Sequence, residues 1–236
     1  MASYKELKRE AFEANLELPK RGLVLYTFGN ASAADRKSGM IAIKPSGVEY
    51  DDLTADMMVV VDMNGVVVDG KHRPSSDTKT HCVLYRAFGN IRGVVHTHST
   101  YATAWAQAMR AIPCFGTTHA DHLPGNVPCT EMISDVQIKK DYEEETGNQI
   151  VSAFRKLNPD ETPMVLVAGH GPFTWGASAA KAAYNSVILE ELAKMASITC
   201  SVTPHVKAVK RSLIEKHFYR KHGADAYYGQ KNRGDA

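Results

Sequence analysis

The chain has 236 residues, 44% of them hydrophobic and 23% charged, which is the composition of an ordinary soluble globular domain. Its formal net charge is +2, and the basic residues after position 207 alternate with acidic and apolar ones, so we expect no binding to nucleic acid. The first residues lack the apolar stretch of a signal peptide, and no run has the length and apolarity of a membrane span. We therefore expect a cytoplasmic protein without membrane contact.

The first third of the chain reads as one helix followed by strands. Apolar residues at helical spacing predict a helix over residues 4–18, which Pro19 ends. Gly29-Asn30 is typical of a turn, and Asn64-Gly65 is a strong hairpin signal. Short runs with strand character lie at residues 23–27, 40–44, 57–62 and 66–68.

Beyond Pro74, helices and strands are mixed without the regular alternation of a Rossmann fold. Residues 116–130, rich in Gly, Pro and His, are expected to form a loop. The predicted strands are 93–97, 164–168 and 173–175. The predicted helices are 80–88, one that Ser99 or Thr100 caps and that contains Trp105, 141–157, 178–195 and 206–222. This order predicts an α+β fold in α/β/α layers, with a central, mostly antiparallel β-sheet flanked by helices.

His96 and His98 are the sharpest local feature of the sequence. Residues two apart in a strand point to the same side, so this pair presents two imidazoles together. Imidazole is a preferred ligand of Zn²⁺ and of similar divalent ions such as Mn²⁺. The pair alone does not distinguish a metal site from two unrelated histidines at a strand end.

Two further residues extend this candidate site. His170 follows an apolar strand and precedes Gly171-Pro172, and Asp77 stands at a predicted helix start. Locally, His170 is also explained as a structural histidine and Asp77 as a helix N-cap. His81, one helical turn after Asp77, is an alternative ligand or an outer partner of the ligands. Three histidines and one carboxylate would leave room for a substrate on the metal, as Lewis-acid catalysis requires.

Three short polar turns offer groups that bind phosphate. Each supplies backbone N–H groups or hydroxyls, and the third lies at a helix N-terminus, where the helix dipole favours an anion. Lys44 could add a positive charge. The turns are Gly29-Asn30, Ser46-Gly47 and Ser75-Ser76. Each is also explained as a commonplace turn, and the absence of a Walker or G-x-G-x-x-G motif gives no indication of a nucleotide.

Together these segments resemble the class II aldolase/epimerase family. The resemblance runs from near the N-terminus almost to the end of the chain, and the joint occurrence of the motifs is specific. The motifs are Phe28-Gly29-Asn30, Ile43-Lys44-Pro45-Ser46-Gly47, Pro74-Ser75-Ser76-Asp77, Val95-His96-Thr97-His98-Ser99, Gly116-Thr117-Thr118-His119-Ala120-Asp121, Gly169-His170-Gly171-Pro172-Phe173, Lys221-His222-Gly223 and Ala226-Tyr227-Tyr228-Gly229-Gln230.

The resemblance implies a role for each group of residues. The metal ligands would be Asp77, His96, His98 and His170, and the polar turns would bind substrate, mostly through its phosphate. Asp121 and Tyr228 would form an acid/base pair that reaches in from a neighbouring subunit of a C4 homotetramer, with active sites at the subunit interfaces. Nothing in the local sequence assigns a role to Asp121 or Tyr228.

The same resemblance implies the kind of reaction. The family makes and breaks a carbon–carbon bond in sugar phosphates with a divalent metal, and its pentose-phosphate epimerases serve routes such as L-arabinose catabolism. Family members that are fuculose-phosphate aldolases carry a glutamate base where this chain has Asp77, so the aspartate favours the epimerase branch over that alternative. A non-catalytic member of the adducin type would lack the histidines, which are all present here. We expect residues 1–236 to form a single domain, of which 231–236 are a polar C-terminal extension.

Overall fold

The computed structural model describes residues 4–223 and 226–227, in which one seven-stranded sheet is covered by helices on both faces. Its strands are β1 (Asn30–Asp35), β2 (Met40–Ile43), β3 (Val59–Asp62), β4 (Val67–Asp69), β5 (Gly93–His96), β6 (Met164–Leu166) and β7 (Pro172–Gly176). Their order in the sheet is β4-β3-β2-β1-β5-β7-β6, and every neighbouring pair is antiparallel. The predicted α+β class and antiparallel sheet are therefore confirmed.

Seven α-helices accompany this sheet in the described part of the chain. They are α1 (Lys5–Lys20), α2 (Thr78–Ala87), α3 (Thr100–Gln107), α4 (Thr117–Ala120), α5 (Asp135–Ala153), α6 (Ala179–Val202) and α7 (Arg211–His222), with a 3₁₀ turn at Ala55–Met57. Within residues 4–223, none of these helices combines the length and apolarity that a bilayer crossing requires. The four cysteines, Cys82, Cys114, Cys129 and Cys200, are free thiols.

Alternation along the strands divides the core between the two faces of the sheet. Ala33 and Val95 pack with α1 and α6 on one face, whereas Ala34 and Val94 pack with α2 and α5 on the other. Successive strand residues point to opposite faces, so one short strand supplies apolar side chains to both layers. This arrangement produces the predicted α/β/α layering.

One predicted strand is wrong, and the strand that follows it in the chain was not predicted. Residues 23–27 form no strand, and β1 instead begins at Asn30, which the sequence assigns to a turn. Gly29 adopts a φ of +72°, and a Cβ there would lie 2.8 Å from the carbonyl oxygen of His96. The chain therefore turns at Gly29 and enters the sheet between β2 and β5. Pairing on both sides overrides the weak strand propensity of Asn30–Asp35.

Helix boundaries differ from the predictions at three places. The expected loop over residues 116–130 contains the short helix α4, and α7 begins at Arg211 rather than at residue 206. Helix α5 begins at Asp135 rather than at residue 141, because Ser134 and Gln137 form a capping box. At Asp141 the backbone leaves helical geometry, with φ −160° and ψ 95°. This break bears directly on the site described below.

The cap of α3 also differs from the prediction. Ser99 occupies the N-cap position, but its side chain makes no capping hydrogen bond. The carboxylate of Glu190 on α6 accepts hydrogen bonds from the backbone N–H groups of Tyr101 and Ala102, at 2.8 and 2.9 Å. A carboxylate that satisfies two first-turn N–H groups also complements the helix dipole. Glu190 thus ties α6 to the helix that follows the His96–His98 pair.

Replacing Glu190 with alanine is expected to lower the free energy of unfolding by about 1–2 kcal/mol, the usual range for a lost helix cap. Urea denaturation followed by circular dichroism would measure this change. Glu191→Ala is the matched control, because the Glu191 side chain is next in the sequence and is exposed. This substitution should change the free energy of unfolding by less than about 0.5 kcal/mol. Equal stability of the two variants would contradict the assigned capping role.

Candidate metal centre and substrate cleft

The three predicted histidines meet at one edge of the sheet. His96 ends β5, His98 follows two residues later, and His170 lies in the turn between β6 and β7. One ring nitrogen of each lies within 4.8 Å of those of the others, and the Nε2 atoms of His96 and His98 are 3.0 Å apart. Among the described residues, this is the group of side chains that could hold a metal ion.

The other ring nitrogens fix how two of these imidazoles are oriented. His96 Nδ1 lies 3.0 Å from the carbonyl oxygen of Pro172, to which it donates, and His170 Nδ1 lies 3.3 Å from the Tyr142 hydroxyl. The His96 ring also stacks on Phe173, with ring centres 4.2 Å apart. Histidine ligands of metals usually carry such an outer hydrogen bond, which leaves the opposite nitrogen free for the ion.

Burial favours the neutral form of His170, which can bind a cation. Burial, together with the neighbouring His96 and His98, lowers the pKa of His170 to about 4. The imidazole is therefore neutral at pH 7 and offers a lone pair. Neutral imidazoles beside a carboxylate are a donor set that suits Zn²⁺ and also accepts Mn²⁺. The side chains present therefore fit a divalent metal.

Gly171 permits the two histidine-bearing segments to approach each other. A Cβ at this position would lie 2.9 Å from the carbonyl oxygen of Thr97. A side chain there would push the His170 turn away from the end of β5. Gly171 therefore allows His170 to lie close to His96 and His98.

Asp77 lies in the same cavity but outside the three-histidine group. It occupies the N-cap position of α2, as the sequence allows, but its side chain makes no capping hydrogen bond. Its carboxylate instead accepts a 2.7 Å hydrogen bond from Asn30 Nδ2. Burial opposes ionisation of Asp77, but the facing His96 and the Asn30 bond outweigh it, so its pKa lies below the usual range.

His81, the alternative ligand, does not join the cluster. It is fully buried, and its Nδ1 lies 2.7 Å from the Ser32 hydroxyl. Burial lowers the pKa of His81 to about 3, so the ring is neutral. Of the two roles that the sequence leaves open for His81, this position agrees with an outer partner of the ligands rather than with a ligand.

The predicted polar turns line the same cavity, which has a volume of about 470 Å³. Two backbone hydrogen bonds, Ser46 N–H to the Arg73 carbonyl and Ser75 N–H to the Lys44 carbonyl, bring two of these turns together. The predicted substrate residues Gly29, Asn30, Lys44, Ser46, Gly47, Ser75 and Ser76 all lie on its wall with the three histidines. The volume falls in the usual range of small-molecule sites.

Lys44 lies on this wall as a buried side chain. Its Nζ donates to the Val48 carbonyl at 2.6 Å and lies 4.8 Å from the centre of the Tyr50 ring. Burial lowers the pKa of Lys44 to about 8. A buried cation of this kind is held in place by the turn and would gain from a nearby anion.

Tyr142 and Glu143 also line the cavity, and sequence reasoning missed both. The backbone break at Asp141 places them there, and Asp141 accepts from the N–H of Glu144 and pairs with Lys79 on α2. The sequence predicts a helix start at residue 141, and Asp141 does cap the second part of α5 through the N–H of Glu144. What the sequence does not show is that the residues after this break face the cavity.

Asp121 does not line this cavity in its own chain. It lies at the end of α4 and contacts three basic residues of α7. His217 Nδ1, Arg220 and Lys221 approach its carboxylate at 2.9, 2.9 and 3.1 Å. Partial burial opposes ionisation, but these three partners outweigh it and lower the pKa of Asp121. The predicted partner Tyr228 and the extension 231–236 lie outside the described residues.

Comparison with known proteins agrees with this geometry. Residues 9–197 match the family described as Class II Aldolase and Adducin N-terminal domain, and the chain belongs to this family.

An L-fuculose 1-phosphate aldolase structure is 25% identical with a TM-score of 0.81, over 94% of this chain and 98% of that one. YgbL from Klebsiella pneumoniae, a putative aldolase/epimerase/decarboxylase, is 24% identical with a TM-score of 0.71, over 92% and 99% of the chains. An L-fuculose 1-phosphate aldolase from Glaciozyma antarctica PI12 is 15% identical with a TM-score of 0.73, over 92% and 81%. The class II aldolase fold is thereby confirmed.

Proposed function

We propose that this member of the Class II aldolase family is a metal-dependent L-ribulose-5-phosphate 4-epimerase, which interconverts L-ribulose 5-phosphate and D-xylulose 5-phosphate. The observation that carries the proposal is the single cavity in which the three histidines, Asp77 and the polar turns lie together. The presence of aspartate at position 77, where aldolases of the fuculose type have glutamate, supports epimerisation over net cleavage.

The metal would be held by His96, His98 and His170, with Asp77 as a fourth ligand. Zn²⁺ is the ion we favour, and Mn²⁺ also suits these donors. When bound, the ion would act as a Lewis acid for the negative charge that develops on substrate oxygens. Gly171 and the hydrogen bonds to Pro172 and Tyr142 hold the ligands for this purpose.

The substrate itself explains why the bond between C3 and C4 must break. C4 is not adjacent to the C2 carbonyl, so removing its proton would leave a carbanion without conjugation. Cleavage of the C3–C4 bond leaves an enediolate that the carbonyl stabilises, and the second fragment is glycolaldehyde phosphate. Rotation of that aldehyde before the bond re-forms inverts C4.

The polar turns would retain the phosphate of the second fragment during this rotation. The Ser46 and Ser75 N–H groups hold these two turns together, so the serine hydroxyls and the N–H groups of Gly47 and Ser76 would contact the phosphate. Ser75-Ser76 precede α2. Such donors bind phosphate at the positive end of a helix. Lys44 and the Gly29-Asn30 turn would complete the anion site.

Inversion requires a proton-transfer group on each side of the aldehyde oxygen. We assign these roles to Asp121 and Tyr228 of a neighbouring subunit in a C4 homotetramer. The position of Asp121 away from its own cavity supports action in another subunit. His217, Arg220 and Lys221 would then hold its carboxylate at the interface.

Product identification from L-ribulose 5-phosphate tests this proposal. Metal-loaded protein is expected to give D-xylulose 5-phosphate in a ¹³C NMR spectrum, and a chelator should stop the conversion. Readdition of Zn²⁺ or Mn²⁺ should restore it. Absence of D-xylulose 5-phosphate with the metal-loaded protein would show that the proposal is wrong.

An aldolase of the fuculose-phosphate type is the second candidate. The likeness to a protein named L-fuculose 1-phosphate aldolase over nearly all of both chains favours it. The same NMR experiment separates the two functions. An aldolase would release free aldehyde and ketone fragments into solution, whereas the epimerase retains them until the bond re-forms.

A further inference from the structure

Four buried polar side chains and the half-buried Asp77 form a line between α2 and β1, next to the histidine cluster. Asp77, His81 and Tyr85 are four residues apart and share one face of α2, and Asn30 and Ser32 share one face of β1. We call this set the α2–β1 polar ladder. It leads from the interior of the protein to the carboxylate of Asp77.

Three of its four links are direct hydrogen bonds. The Tyr85 hydroxyl lies 2.8 Å from Ser32 Oγ, and Ser32 Oγ lies 2.7 Å from His81 Nδ1. At the other end, Asn30 Nδ2 donates to Asp77 at 2.7 Å. His81 is 0% and Tyr85 0% exposed, so water does not compete with these bonds.

The fourth link would join the two remaining buried polar atoms of the ladder. His81 Nε2 and Asn30 Oδ1 are both buried without a hydrogen-bond partner among the described residues. One can serve as donor and the other as acceptor, and Asn30 is itself bonded to Asp77. Buried polar atoms of native proteins almost always find partners, and a single water between these two atoms would satisfy both.

The direction of every bond follows from the carboxylate. Ionised Asp77 can only accept, so Asn30 must donate through Nδ2, which leaves Oδ1 as an acceptor. His81 must then carry its proton on Nε2, which makes Nδ1 an acceptor for the Ser32 hydroxyl. The Tyr85 hydroxyl donates to the Ser32 carbonyl at 3.1 Å and, lying 2.8 Å from Ser32 Oγ, can share its proton with that oxygen. With this tautomer of His81 the bonds run in one direction, from Tyr85 to Asp77.

We infer that His81 is a positioning residue, which through Asn30 holds the Asp77 carboxylate towards the histidine cluster and so sets the affinity of the site for metal. The inference rests on the proposed metal site of the epimerase. The Ser32 hydroxyl, 2.7 Å from His81 Nδ1, can donate to that nitrogen in the tautomer of His81 that this role requires. Partners of this kind, one step removed from the ion, change metal affinity by roughly 10- to 100-fold in other sites.

Two substitutions of His81 separate positioning from simple packing. The amide of His81→Asn can replace Nδ1 and keep the bond to Ser32, whereas the amide of His81→Gln reaches the place of Nε2. We expect His81→Asn to weaken Zn²⁺ binding by about 10-fold or more and to change the absorption spectrum of the Co²⁺-substituted protein. His81→Gln should recover most of the affinity.

Leu84→Val is the matched control, because it shortens another fully buried side chain of α2. It should lower the stability of the metal-free protein and leave Zn²⁺ affinity and the Co²⁺ spectrum unchanged. If the His81 variants do not fold, Ser32→Ala and Tyr85→Phe take their place, and both are expected to weaken Zn²⁺ binding relative to the wild-type protein.

These experiments distinguish failure of the inference about His81 from failure of the proposed function. Wild-type affinity and an unchanged Co²⁺ spectrum in the folded ladder variants would overturn the inference while the wild-type enzyme remains an epimerase. A wild-type protein that binds Zn²⁺ without epimerising L-ribulose 5-phosphate would overturn the function, and the affinity series would still decide the role of His81. Failure of the wild-type protein to bind Zn²⁺ would overturn both.

Discussion

Replacing His96 with alanine is expected to abolish stoichiometric metal binding and to lower kcat by about 10³-fold or more. His96 is buried at the end of β5, and its Nε2 lies 3.0 Å from that of His98. A metal that stabilises developing charge contributes several kcal/mol to the transition state, and about 4 kcal/mol corresponds to three orders of magnitude in rate. Elemental analysis of the purified variant, together with turnover of L-ribulose 5-phosphate, would measure both effects.

The control for this prediction is His205→Ala. His205 is exposed and lies between α6 and α7, away from the cavity. Its replacement should leave the metal content and the rate unchanged. A His96→Ala protein that retains a full complement of metal would rule out His96 as an essential ligand.

Mixing two inactive variants is expected to restore activity if the active site is shared between subunits. His96→Ala lacks a metal ligand, and Asp121→Asn lacks the carboxylate that we assign to the neighbouring site. In a mixed C4 ring, some interfaces combine an intact His96 with an intact Asp121 of the next subunit. Random assembly from equal amounts would give about one such interface in four, and so about a quarter of wild-type activity.

The matched control is a mixture of His96→Ala and His98→Ala. Both changes damage the same subunit's half of the site, so no interface in that mixture is intact. Subunit exchange would be verified by native mass spectrometry of differently tagged chains. Mixed tetramers of His96→Ala and Asp121→Asn without recovered activity would contradict the assignment of Asp121 to a neighbouring site.

Much of the candidate site follows from local sequence patterns. The spacing of His96 and His98 in a strand puts both imidazoles on one side, and the four-residue spacing of Asp77 and His81 puts them on one helix face. These relations depend only on the repeat of the strand or helix, so they can be read without knowing the fold. The order of motifs along the chain likewise indicated the family that residues 9–197 match.

Sequence patterns failed where long-range contacts outweigh local preference. The strand β1 has a low intrinsic propensity and exists because β2 and β5 pair with it on both sides. The sequence predicts a helix start at residue 141, where the structure has a break in α5, but it does not predict that Tyr142 and Glu143 lie in the cavity. Both features depend on elements distant in the chain.

The sequence by itself therefore determined which side chains share a face, the α+β class and the chemical type of the site. Only the tertiary structure decided that His170 joins His96 and His98, that Asp77 is held by Asn30 rather than capping α2, and that Asp121 lies away from its own cavity. The physical reason is the same in each case. Local periodicity fixes the direction of a side chain, whereas the distance between two elements is fixed by sheet pairing and core packing, which a local pattern does not contain.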